Sequence, residues 1–290
     1  MSISDDLRQK AQSFRALHQG PNILVLPNAW DEASAALMVQ AGFPAIATTS
    51  SGVANAVGFP DGEQIGQARM LAIAAGIAAR SPVPVTADLV AGFGNAPEAV
   101  ADTVTKAIGA GIVGCNIEDG DATTGKLIDF DLAVARIRAG AEAAARAGLP
   151  DFVVNARIDP YLRGFGDAEA CFAESVKRAN AYLAAGAGSA FVPGPVDADT
   201  VGRLAKAIDG PMNVMAGRPG TLSAGEYQKL GVRRISTGGS LALATLGLLR
   251  DALARLKAEG SYGYIDGAMM SHPEANKLMA AWQKGTLTAS

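Results

Sequence analysis

Short apolar runs alternate along the chain with alanine-rich stretches of helical periodicity. The runs are ILVLPNA (23–29), FPAIATT within 40–51, PVTADL (84–89), IVGCNIED within 109–119, FVVNARI (152–158), SAFVPG within 184–194, MNVMAG (212–217) and VRRISTGG within 229–239. Four of them follow the same phrase, a helix ending in Ala-Gly or Leu-Gly and then a strand within a few residues. The glycine is the expected left-handed helix cap. Helical stretches such as DEASAALMVQA (31–41) and PEAVADTVTKAIGA (97–110) fill the gaps. Eight strand–helix units over roughly 250 residues predict an α/β fold, a (β/α)₈ TIM barrel. An open doubly wound sheet also alternates, but no G-x-G-x-x-G follows the first strand. No linker rich in Pro, Ser or charge divides the units, so residues 1–260 read as one barrel domain with an N-terminal helix. Residues 261–290 form a C-terminal extension whose helix, 273–284, puts Leu278, Met279 and Trp282 on one side. Such a helix either covers the barrel or docks on a neighbouring subunit.

Composition narrows the class. With 290 residues, 49% hydrophobic and 18% charged, the chain has the means to bury a large core. A net charge of −3 gives no electrostatic reason to expect nucleic acid. No apolar stretch is long enough for a membrane span, and the polar N-terminus has no signal core. Cys115 and Cys171 cannot make a disulfide framework. The expectation is a reduced, cytoplasmic protein.

Barrel chemistry sits at the C-terminal ends of the strands. Those ends supply Asn28, Ser50–Gly52, Asp88, Glu118 and Asp119, Arg157 and Asp159, Pro193, Asn213 and Thr237–Ser240. His18 and His272 fall outside the strands, no lysine lies in one, and G-x-S-x-G is absent. A histidine base, a Schiff-base aldolase and a nucleophile elbow are therefore disfavoured. Asp88, Glu118 and Arg157 stand at successive strand ends. Neighbouring carboxylates can share a hard cation, and a guanidinium fork matches a carboxylate or phosphate. Gly52 lets backbone approach a ligand, and successive N–H groups there could hold an oxyanion. Asp61 lies in strong Pro-Asp-Gly turn chemistry. Cys115 reads as core.

The phrases LPNAWDEASA, TTSSGVANAVGFPDGE, ADLVAGFGN, NIED, NARID, GAGSAFVPG and NVMAG together resemble the isocitrate lyase/phosphoenolpyruvate mutase superfamily, in particular its 2-methylisocitrate lyase-like, 2-oxo acid-binding branch. The resemblance spans residues 26 to about 245. It implies a barrel that uses Mg²⁺, with Mn²⁺ as the alternative, to stabilise the enolate of a pyruvate-like unit. It also implies a last helix exchanged between subunits of a homotetramer built as a dimer of dimers. By position, Ser51, Gly52 and Val53 would bind the carboxylate or enolate oxygen. Asp88 would hold the metal, with Glu118 acting through water. Arg157, Asp61 and Asn213 would serve the substrate side. Two departures stand out. Val90 occupies a usually acidic position, and the loop DGDATTGKLIDFD lacks the lyase sequence Lys-x-Cys-Gly-His. Isocitrate or methylisocitrate cleavage by that route is not expected. Pro193 replaces a histidine of the phosphonate-processing members.

The expected function is thus a Mg²⁺-dependent lyase acting on a small 2-oxo acid, of the oxaloacetate decarboxylase kind. The alternatives are a 2-oxo acid-binding protein without catalysis and a phosphonopyruvate-type hydrolase or mutase. Neither nucleic acid nor membrane is an expected partner.

Overall fold

The structure, a computed structural model, describes residues 3–121, 123–195, 197–263 and 269–288. Parts of the expected extension, 264–268 and 289–290, and residue 122 of the loop after Glu118, lie outside the described residues. The strands are β1 (Leu24–Leu26), β2 (Asn28–Ala29), β3 (Ile46–Thr48), β4 (Val85–Asp88), β5 (Gly114–Glu118), β6 (Val153–Arg157), β7 (Ser189–Phe191), β8 (Met212–Met215) and β9 (Arg234–Ser236). All pair in parallel, in the order β1-β9-β8-β7-β6-β5-β4-β3-β2. The two ends of that order are one strand interrupted at Pro27. Proline has no N–H to give a ladder, but its carbonyl still accepts from Ala47 N at 3.0 Å. The ring closes through Pro27, and the barrel is the predicted eight-stranded one.

The helices are α1 (Asp5–Leu17), α2 (Glu32–Gln40), α3 (Ser50–Ala56), α4 (Gln67–Arg80), α5 (Pro97–Gly109), α6 (Phe130–Arg146), α7 (Pro160–Arg163), α8 (Ala168–Ala184), α9 (Ala198–Ala207), α10 (Ala224–Lys229), α11 (Ser240–Glu259) and α12 (His272–Gln283). Their starts follow capping chemistry. Asp31 accepts from Ser34 N at 2.7 Å, and Ser34 Oγ accepts from Asp31 N at 3.2 Å. Losing such a cap costs about 1 kcal/mol. None of the described helices is long and apolar enough to cross a membrane.

Helix α1 closes the barrel at the N-terminal ends of the strands. Its Arg8 and Lys10 donate to the carbonyls of Gly148 and Ser81, in the segments that lead into β6 and β4. Ala11 and Phe14 are buried on its inner side. Burial of a side chain such as Phe14 contributes about 2–3 kcal/mol.

The two C-terminal helices differ. In α12, Leu278 and Trp282 are buried, and Trp282 Nε1 donates to Glu32 Oε2 at 3.0 Å, so this helix is seated on α2 of its own chain. In α11 only Ala242 is buried, while Leu243, Leu246, Leu248, Leu249 and Leu253 are exposed. A groove of about 600 Å³ runs between α2 and α11, walled by Trp30, Leu37, Phe43, Leu241 and Leu248. The helix with an uncovered apolar face is therefore α11, not the last one.

Candidate active site

Strand alternation decides which polar side chains meet. In register, Asp88 lies beside Asn116, Asn116 beside Asn155, and Asn155 beside Ser189. Glu118 lies beside Arg157, and Asn213 beside Arg234. Barrel interiors are usually filled by branched aliphatic side chains; here the inward positions of β4 to β9 are largely polar. At the C-terminal mouth a cavity of about 180 Å³ is walled by Ser50, Ser51, Asp61, Asp88, Arg157 and Ser236, with Phe191 and Met215 as apolar contributions.

Asp88 is held from one side. Its Oδ2 accepts from Ser50 N at 3.1 Å and Ser50 Oγ at 2.8 Å. Thr48 Oγ1 accepts from Asp88 N at 3.0 Å. Oδ1 has only a 3.5 Å contact from Val90 N and is left with lone pairs to offer. Val90 itself adopts φ 54°, an unusual conformation for a β-branched residue.

Across the cavity, Arg157 Nη1 meets Glu118 Oε2 at 2.6 Å. Arg157 Nε and Nη2 grip Asp159 at 2.8 and 3.1 Å. Helix α7 turns the chain back so that Arg163 Nε lies 3.6 Å from Asp159 Oδ2. A Cβ on Gly120 would collide with that guanidinium, so the loop after β5 is built tightly against Arg163. Burial pushes the Glu118 carboxyl up to about 8; Arg157 opposes this, and Asp159 and Asp88 reinforce it. Burial alone would lower Arg157, but Glu118 and Asp159 overcome it and hold the guanidinium charged. At Glu118 burial wins, and at Arg157 the paired carboxylates win.

Among the described residues no three His, Cys, Asp or Glu side chains converge as a metal cage. Mg²⁺ needs no such cage, since it keeps several waters and takes one or two carboxylates. Asp88 Oδ1 and the charge-starved Glu118 suit it, because a cation would relieve the cost of ionising Glu118.

Ser51, Asp61, Asp88 and Arg157 all stand in the cavity wall, and Glu118 is bonded to Arg157 behind it. The other expected residues are placed as follows. Residues 50–53 are not a strand-end turn but the start of α3. The Val53 N–H is spent on Thr49 O at 2.9 Å, and its side chain is core. Gly52 is tightly packed, for a Cβ there would come within 2.6 Å of Thr49 Cγ2 and 2.9 Å of Trp30 Cβ. Asn213 is fully buried and stands behind Ser236, to whose Oγ its Nδ2 donates at 3.0 Å. Asn116 and Ser236 are cavity residues that the sequence reading does not single out. Their signal was polar residues at every second position of a strand, as in Asn116/Glu118 and Arg234/Ser236. Cys115 is core, as expected, and burial pushes its thiol up.

A parallel barrel whose mouth gathers a half-free carboxylate, a guanidinium and small hydroxyls has the layout of an enzyme active site. The chain belongs to the phosphoenolpyruvate mutase family within the isocitrate lyase/phosphoenolpyruvate mutase superfamily. The family model described as phosphoenolpyruvate phosphomutase matches residues 14–257. The chain is 40% identical over 227 residues to an uncharacterized Mycobacterium tuberculosis protein, Rv1998c, covering 78% of this chain and 81% of that one. It is 32% identical over 189 residues to the oxaloacetate decarboxylase of Paraburkholderia xenovorans, covering 61% and 58%. Among solved structures, a lyase/mutase candidate from Burkholderia cenocepacia superposes with a TM-score of 0.89 at 38% identity, covering 96% and 98%. 2,3-Dimethylmalate lyase superposes with a TM-score of 0.82 at 31% identity, covering 95% and 96%. The protein is an enzyme of this superfamily of lyases and mutases.

Proposed function

We propose that the protein is a Mg²⁺-dependent carbon–carbon lyase for a small 2-oxo acid, of the oxaloacetate decarboxylase kind. The observation that carries this is Asp88, pinned through Oδ2 by Ser50 and open at Oδ1, in the same small cavity as Arg157. Sites for drug-sized ligands run to about 300–1,000 Å³, so a cavity of about 180 Å³ favours an acid of few atoms. Asp88 would hold the cation, and Glu118 would support it through water. Bound Mg²⁺ would supply positive charge against the negative charge that develops on the 2-oxo oxygen. Arg157 would orient the carboxylate, with Asp159 keeping the fork in plane. Phe191, Leu162 and Met215 would limit water. Loss of CO₂ from an oxaloacetate-like acid needs no dedicated base, which suits a wall with neither Cys nor His.

Calorimetric titration of oxalate, an enolate mimic, with and without Mg²⁺ tests the site. Binding should require Mg²⁺ and vanish in Asp88→Ala. Pyruvate formation from oxaloacetate should exceed the rate with Mg²⁺ alone. Oxalate binding without turnover of any 2-oxo acid would instead favour a binding protein, a reading supported by Val90 in the usually acidic position. The uncovered leucines of α11 further support self-association, in which that helix packs against a second copy of the chain. Sedimentation of a monomer at micromolar concentration would refute this.

A further inference from the structure

A chain of hydrogen bonds rises through the barrel to the cavity, the direction of each set by what its groups can donate or accept. It starts at the Phe14 carbonyl of α1. That oxygen can only accept, so His18 Nδ1, 2.8 Å away, carries the proton. Burial, with Arg234 beside it, lowers the His18 pKa to about 3, and the ring is neutral. Its Nε2 is therefore a bare acceptor. Arg234 has donors only. Its Nη1 faces His18 Nε2 at 3.4 Å, and its Nε donates to Ser236 Oγ at 3.4 Å. Asn213 Nδ2 donates to the same oxygen at 3.0 Å.

A hydroxyl has two acceptor positions and one hydrogen. Both acceptor positions of Ser236 are thus filled, and among the described residues no protein group accepts its hydrogen. The open side of Ser236 is the cavity that it lines. Arg234 is fully buried and has no carboxylate in ion-pair contact among the described residues. Its charge therefore acts on what it touches, which includes the Ser236 hydroxyl.

We infer that Ser236 is a substrate-binding residue, a hydroxyl donor whose orientation is fixed by Asn213 and Arg234 and which receives an anionic oxygen of the bound acid. The identity of that anion rests on the 2-oxo acid chemistry proposed above; the direction of the hydroxyl does not. Asn213 and Arg234 are positioning residues. They touch Ser236 and not the ligand.

The test titrates oxalate in Mg²⁺ into the full-length protein and its variants, with thermal melts to check folding. Ser236→Ala should weaken oxalate by about tenfold to a hundredfold, as expected for losing a hydrogen bond to a charged group. Ser236→Thr, which keeps the hydroxyl, should retain most of the affinity. Arg234→Met should weaken oxalate in the wild-type background and have no further effect in Ser236→Ala. Equal affinity of wild type and Ser236→Ala would overturn the assignment. A loss from Arg234→Met that persists unchanged in Ser236→Ala would overturn its positioning role. If the wild type binds no oxalate at all, the 2-oxo acid reading falls. Neutron diffraction from deuterated crystals then decides the rest: deuterium on Ser236 directed at the cavity upholds the donor, and deuterium directed at Asn213 overturns it.

Discussion

Glu118 and Asp119 are neighbours in sequence with opposite fates. Alternation along β5 and its exit sends Glu118 inward to Arg157, whereas Asp119 turns toward α8. Asp119 is saturated. Its Oδ2 accepts from Tyr182 Oη at 2.7 Å and Arg178 Nη1 at 3.1 Å, and its Oδ1 accepts from Asp159 N at 2.9 Å. Glu118 has one close partner, and the rest of its carboxylate is poorly compensated. Burial raises the pKa of both. Only Glu118 would gain from a new positive charge. Two buried carboxylates one residue apart thus divide into a bracket that shapes the loop and a group whose charge is poorly compensated.

The largest expected effect is on the bracket. Asp119→Ala takes from buried Arg178 one of its two carboxylate partners, Glu174 being the other, and leaves Tyr182 and the Asp159 amide without an acceptor. Breaking one side of a buried ion pair costs about 3–5 kcal/mol, and with Glu174 still on Arg178 denaturant unfolding should show a loss toward the lower end of that range. Glu118→Gln, nearly isosteric, should cost far less stability while weakening Mg²⁺-dependent oxalate binding. Equal destabilisation by the two variants would erase the distinction.

The fold was legible because the same glycine-capped helix and apolar strand recur, each reinforcing one period. The halves of the first strand were read as one, and Pro27 joins them as that reading requires. Residues 50–53 are helical although serine, glycine and valine carry little helix propensity. What makes them helical is tertiary, the grip of Ser50 on Asp88 and the fit of Gly52 against Trp30. The convergence of Asp88, Glu118 and Arg157 is legible because strand ends of a barrel converge. The place of Ser236 in the cavity wall is not, since its proposed role depends on Asn213 and Arg234, distant in sequence or hidden in the core. The leucines of α11 suggest a buried helix by composition, yet the single chain leaves them uncovered.

A smaller effect is expected two residues past Asp88. Val90 holds φ 54°, and aspartate tolerates that region better than a β-branched side chain. Val90→Asp would remove strain and place a carboxylate next to the proposed cation. A supporting carboxylate of this kind is worth about tenfold to a hundredfold in metal affinity. Mg²⁺ titration of Val90→Asp should show tightening in that range. Unchanged or weaker binding would mean that the buried pocket around position 90 cannot hold another charge.

The gentlest test is pH. Glu118 is raised from 4.5 to about 8, chiefly by burial. The folded chain therefore keeps a proton on Glu118 between those values that the unfolded chain has lost. Folding stability from this group is fully present below about 4.5 and falls as pH rises toward 8. Cation binding runs the other way, because the cation needs the carboxylate and the proton competes. Mg²⁺ affinity should therefore climb as pH rises, by up to about tenfold per unit, and level off above the Glu118 pKa. Asp119 adds nothing to this slope, since a cation at Asp88 does not reach a carboxylate already filled by Arg178 and Tyr182. Glu118→Gln should flatten the profile. A wild-type profile flat from pH 6 to pH 9 would show that Glu118 is already ionised against Arg157, and the contrast with Asp119 would then be one of position alone.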